Sequence, residues 1–97
     1  MEQKFAKQWI AHLQKSTLIC GYRSQKMITD IEKFGGVQTA KRVLKRNGVS
    51  EDFQLLAKKK QLALSMEALI TSGAFSSLFD DEEVNQCFEN LCEYGYF

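Results

Sequence analysis

The chain has no proline, a single histidine, and no basic residue after Lys60. Without proline, turns and helix ends fall to glycine and to capping side chains. One histidine, His12, and three cysteines, Cys20, Cys87 and Cys92, make a poor zinc set, because zinc usually takes four ligands in closely spaced pairs. Cys87 and Cys92 diverge by about 140° around a helix. Three cysteines cannot all pair within one molecule, and they are read as small core residues. No stretch approaches the ~18 apolar residues of a membrane helix. Met1 to Lys15 carries charge throughout, unlike a secretory signal. The expectation is a cytoplasmic chain with free thiols, no metal, no cofactor and no membrane contact.

Catalytic patterns are missing too. His12 sits at the edge of an apolar helical face, and no nucleophile elbow or cysteine-protease signature accompanies it. Gly35-Gly36 lacks the longer spacing and the lysine of a phosphate loop. The run Asp80 to Glu83 lacks the alternating ligands of a calcium loop. No enzyme is expected.

What is present is globular. Ninety-seven residues, 44% of them apolar, suit one domain with a modest core. Gly21, Gly35-Gly36, Gly48, Gly73 and Gly95 fall where helical patterns stop, which predicts an all-α fold, a compact bundle of about five or six short helices. The first helix runs from about Glu2 to Ile19, with Phe5, Ala6, Trp9, Ile10, Leu13 and Cys20 on its apolar face. The second spans Ser24 to Phe34, with Ser24 as N-cap and Met27, Ile28, Ile31 and Phe34 inward. The third spans Val37 to Asn47, and Val37, Ala40, Val43 and Leu44 turn inward. Ser50 is expected to cap a fourth helix, with Glu51 and Asp52 in its first turn and Lys58-Lys59-Lys60 at its end. Ser65 caps a fifth from Met66 to about Thr71. Asp80 or Asp81 caps the last, in which Val84, Cys87, Phe88 and Leu91 form an apolar stripe.

Charge is divided along the chain. Residues 1–60 hold all thirteen bases against five acids, net +8, and residues 61–97 hold seven acids and no base, net −7. Such asymmetry points to a polar partner. On the third helix Gln38, Lys41, Arg42 and Lys45 share a sector of about 100°, with Thr39 and Arg46 at its margin. If helices two and three form a helix-turn-helix, Gln38 and Arg42 reach base edges while Lys41, Lys45 and Arg46 contact phosphates. Lys58, Lys59 and Lys60 widen that basic surface. A solvated helix face with bases near its C-terminus explains the same residues without a ligand.

The acidic third supports an alternative, a protein-binding inhibitor or adaptor. Glu82, Glu83, Glu89 and Glu93 with Tyr94, Tyr96 and Phe97 would dock a basic protein or mimic nucleic acid. The same acids can instead pack on the basic face, and the aromatics can fold back to close the bundle. No oligomeric state is implied.

A set of motifs runs from Gly21 to the end: Gly21-Tyr22-Arg23, Gly35-Gly36-Val37, Ala40-Lys41-Arg42 with Leu44, and Ser50 with Phe53. Leu64-Ser65, Glu67-Ala68-Leu69, Leu78-Phe79, Glu82-Glu83 and Tyr94-Gly95-Tyr96 continue it. In these motifs the chain resembles a small bacterial all-helical module that occurs in short uncharacterised proteins and beside restriction-nuclease-like or defence-associated proteins. The resemblance implies a helical accessory or stand-alone module and supplies no catalytic residue. The pattern has a less basic, aromatic-containing segment where this chain carries Lys58-Lys59-Lys60. Together these readings predict non-catalytic binding of nucleic acid or an acidic partner through the third and fourth helices, in a bacterial, phage or mobile-element setting.

Overall fold

Caps and glycines set the boundaries that the sequence marks. A computed structural model of the chain describes residues 2–96. The described residues form six α-helices and no strand, an all-α bundle. In order they are α1 (Glu2–Cys20), α2 (Gln25–Phe34), α3 (Gly36–Asn47), α4 (Phe53–Lys58), α5 (Met66–Thr71) and α6 (Asp81–Glu93). Two 3-10 turns, Leu62–Leu64 and Ser76–Leu78, precede α5 and α6. Among the described residues no helix is long and apolar enough to cross a membrane.

Two caps form as the sequence predicts. Ser65 Oγ accepts from the Ala68 N–H at 3.1 Å and starts α5. Asp80 starts α6 with a reciprocal capping box: the Glu83 N–H donates to Asp80 Oδ1 at 2.8 Å, and the Asp80 N–H donates to Glu83 Oε1 at 3.0 Å. Two other expected caps are diverted. Ser24 shares a 2.9 Å hydroxyl hydrogen bond with Thr17 and ties the start of α2 to α1. Ser50 turns its N–H and hydroxyl to Glu67, so α4 begins only at Phe53, and Glu51 and Asp52 lie in the turn before it. A distant carboxylate outcompetes the local backbone for that serine.

α1 runs against the core, with Phe5, Trp9 and Leu13 buried. The Phe5 ring meets Trp9, Phe75 and Phe79 at centroid distances of 5.9, 5.4 and 5.4 Å, the last two edge-on. α3 approaches α1 at Gly36, where an added Cβ would lie 2.9 Å from both Cα and Cβ of Ala6. Gly36 therefore permits helix contact and is the first residue of α3, which corrects its reading as simple punctuation. Gly48 does end α3, in the left-handed conformation at φ 79°, with its N–H on the Leu44 carbonyl. A smaller apolar cluster of Phe53, Leu56, Leu62 and Leu91 joins α4, the first 3-10 turn and α6.

Three side chains leave the places that periodicity gives them. Phe34 and Phe88, expected inward, are each 40% exposed. Thr39, expected at the margin of the polar face, is buried and donates to the Asp30 carbonyl at 3.2 Å. The tertiary surroundings that decide these places are not contained in a single-helix period.

Candidate polyanion-binding face

α3 contains no acid, and burial of Val37, Ala40, Val43 and Leu44 turns Gln38, Arg42, Lys45 and Arg46 to solvent. Arg42, Lys45 and Arg46 line a shallow depression on the C-terminal half of this helix, with no other residue in its wall. None of the three forms an ion pair with a described residue; the ion pair among these is Lys41–Glu83.

Lys41 is engaged within the fold. Its Nζ lies 2.9 Å from Glu83 Oε1 and 5.6 Å from the centroid of the Phe79 ring. The same Oε1 closes the capping box of α6, so one oxygen joins α3 to the start of the last helix. Arg42 behaves differently. Its guanidinium lies over the exposed Phe34 ring, 4.4 Å from the centroid, and Lys33 Nζ is 5.3 Å from that centroid. The single-residue turn at Gly35 brings Phe34 and Arg42 together.

Lys58, Lys59 and Lys60 are exposed at the end of α4. Lys60 takes a left-handed conformation at φ 58°, and the next N–H, of Gln61, returns to the Leu56 carbonyl at 2.8 Å. Their backbone thus serves as a helix C-cap. The depressions that Arg42 lines include none of them.

On the acidic side, α6 docks on the α3–α4 turn through neutral amides. Gln86 and Asn90 donate to the Gly48 carbonyl at 3.0 and 2.8 Å. Glu83 is paired as above. Glu82 lies with Asp80 and Glu83 across a groove from Gln38, Lys41 and Lys45. Glu89 and Glu93 are exposed. Tyr94 packs edge-on against Phe53 at 5.0 Å, and its hydroxyl accepts from Gln54 at 3.4 Å. Tyr96 is held by its N–H, which donates to the Leu91 carbonyl at 2.9 Å. Phe97 lies outside the described residues.

One polar cluster joins residues that the sequence reading names separately and does not bring together. Glu67 is fully buried and accepts from Ser50 N–H at 2.7 Å and Ser50 Oγ at 2.8 Å. Burial, helped by the nearby Asp52 charge and opposed by the two Ser50 hydrogen bonds, pushes the Glu67 carboxyl up to about 6. Asp52 is 2% exposed, and burial raises its carboxyl as well. Ser16, buried without a hydrogen bond of ordinary length among the described residues, lies close enough to Asp52 to oppose that rise. Burial, then the charges of Glu67 and Glu83, raise the Cys87 thiol, which stays protonated at neutral pH. Both carboxyls are sealed from solvent, and through Ser50 the cluster ties the start of α5 to the turn before α4. The signal for it was available: Glu67 is the sole charge between Lys60 and Asp80.

His12 is half-buried; burial and then Lys15 lower its affinity for a proton, and its Nδ1 has no hydrogen-bond partner among the described residues. Among the described residues no three His, Cys, Asp or Glu side chains are grouped to hold a metal ion. Compared with protein-family models, with curated proteins and with solved structures, the chain matches none.

Proposed function

We infer that the chain is a non-catalytic binding module that holds a polyanion, nucleic acid or an acidic protein segment, on the exposed face of α3. The observation that carries this reading is the depression lined by Arg42, Lys45 and Arg46 alone, three cations on a helix without acids. Arginine forks and a lysine ammonium suit phosphate oxygens, and binding to a strand releases condensed counterions. Gln38 adds a neutral donor and acceptor on the same face. Lys58, Lys59 and Lys60 form an outlying basic patch that adds long-range attraction. A cytoplasmic location and a bacterial, phage or mobile-element setting fit this role.

Fluorescence anisotropy of short labelled strands and duplexes across a salt series tests it. Replacing Arg42, Lys45 and Arg46 together by alanine is expected to weaken binding by at least about tenfold and to flatten the salt slope by about 1.4 to 2 for a single strand, two to three phosphates at about 0.7 each. Absence of binding at low salt would sink the reading.

The second reading, an adaptor or inhibitor that works through α6, has its own support. Phe88 and Tyr94 are partly exposed beside Glu89 and Glu93. It requires that a basic peptide bind and that Glu89→Gln with Glu93→Gln release it. Unchanged peptide affinity in that double variant would remove it.

A further inference from the structure

The two sides of α3 are unlike, and the difference bears on which polyanion fits. On the α6 side, Asp80, Glu82 and Glu83 face Gln38, Lys41 and Lys45 across the groove. Of those bases, Lys41 is already paired. On the α2 side, the cleft is lined by Phe34, Arg42, Lys26, Arg46 and Asn47. Between the two sides lies the shallow depression of Arg42, Lys45 and Arg46.

A duplex that takes α3 into its major groove sets one phosphate strand along each side of the helix. The groove is about 12 Å wide, and a helix with its side chains fills about 10–12 Å of it. One strand would then run along Asp80 and Glu82, whose charges repel phosphate. A single strand meets no such wall. Its phosphates follow Lys45 and Arg46, and one base turns toward the α2 side.

There the Arg42 guanidinium lies over the Phe34 ring, 4.4 Å from its centroid, and both residues are exposed. A stacked arginine–aromatic pair offers a flat, cationic surface on which any base can lie. Asp30 and Glu51 also line this cleft. Lys26, Arg42 and Arg46 balance their charge, and the two carboxylates can accept from the N–H groups of a base. A base at the cleft and phosphates along Lys45 and Arg46 is the arrangement these acceptors favour.

We propose that α3 and the end of α2 form a binding site for single-stranded nucleic acid, with Arg42 and Phe34 as the base-stacking platform and Lys45 and Arg46 as the phosphate contacts. The proposal rests on the polyanion reading above and specifies its ligand. The sugar is not engaged in this arrangement, so DNA and RNA strands of one sequence are expected to bind within about threefold of each other.

The test is a set of anisotropy titrations at low salt with a labelled single strand, its RNA counterpart, its duplex and polyglutamate. The single strand is expected to bind at least about tenfold tighter than the duplex. Phe34→Ala is expected to lower strand affinity by about 5- to 150-fold, the range for loss of one stacked base, without changing the salt slope. Phe34→Leu, which keeps an apolar side chain but removes the ring, is expected to weaken binding as well, and circular dichroism checks that both variants fold. Duplex binding as tight as strand binding, or full strand affinity in Phe34→Leu, overturns the platform while the polyanion reading survives. Binding of polyglutamate but of no strand overturns the platform in favour of an acidic protein partner. Binding of none of the four probes overturns both readings.

Discussion

Glu67→Gln should change the way stability depends on pH more than it changes the fold. The wild-type carboxyl is raised from 4.5 to about 6 in the folded chain. A group whose folded pKa exceeds its unfolded value gives stability that is fully present below the unfolded value and is lost as pH rises through the folded one. Its window therefore runs from about 4.5 to about 6, and the shift of about 1.5 units corresponds to about 2 kcal/mol. Asp52, also raised by burial, acts in the same direction. His12 acts against both, because its lowered affinity for a proton removes stability as pH falls below its ordinary value near 6.5.

The difference between wild type and variant cancels His12 and reports Glu67 together with its coupling to Asp52. Glutamine preserves the contacts in neutral form: Oε1 can accept from the Ser50 N–H, and Nε2 can donate to Ser50 Oγ. Urea unfolding of both proteins across about pH 4 to about pH 8 measures the difference. Wild type is expected to gain about 2 kcal/mol relative to Glu67→Gln as the buffer is acidified across that range. A difference that does not vary with pH would mean that the Glu67 carboxylate is ionised inside the fold at no cost. The description of a sealed, partly compensated carboxyl would then be wrong.

Two further substitutions test the backbone. Gly36→Ala places a Cβ 2.9 Å from Ala6, against backbone that cannot rotate away, and is expected to destabilise by about 1–3 kcal/mol in urea unfolding; an unchanged midpoint would refute the close approach of α1 and α3. Lys60→Gly removes a side chain from a left-handed position and is expected to stabilise by about 1 kcal/mol, read as a rise in the thermal midpoint.

Elements with local signals were legible in the sequence. α5 begins after Ser65 and ends at Thr71 as its cap and periodicity indicate, and α6 follows Asp80. Both starts are decided within four residues, so no distant group is needed to find them. Ser50 shows the limit. Its spacing to Phe53 is that of a cap, but its partner is Glu67, seventeen residues away. The basic face was legible by period, since Arg42, Lys45 and Arg46 are exposed together. That Lys41 is committed to Glu83 depends on where α6 docks, forty-two residues on, and α3 carries no mark of it. The Phe34–Arg42 stack was likewise hidden, because a helical period assigns Phe34 to the core and the turn at Gly35 carries it to the surface.

The proposed hold of α3 on a polyanion through Arg42, Lys45 and Arg46 is measured most directly by the salt dependence of strand binding in wild type and in the triple alanine variant. Expected are saturable binding by wild type at low salt, a loss of at least about tenfold in the variant, and a salt slope shallower by about 1.4 to 2. Equal affinity and equal slope in the two proteins would contradict it.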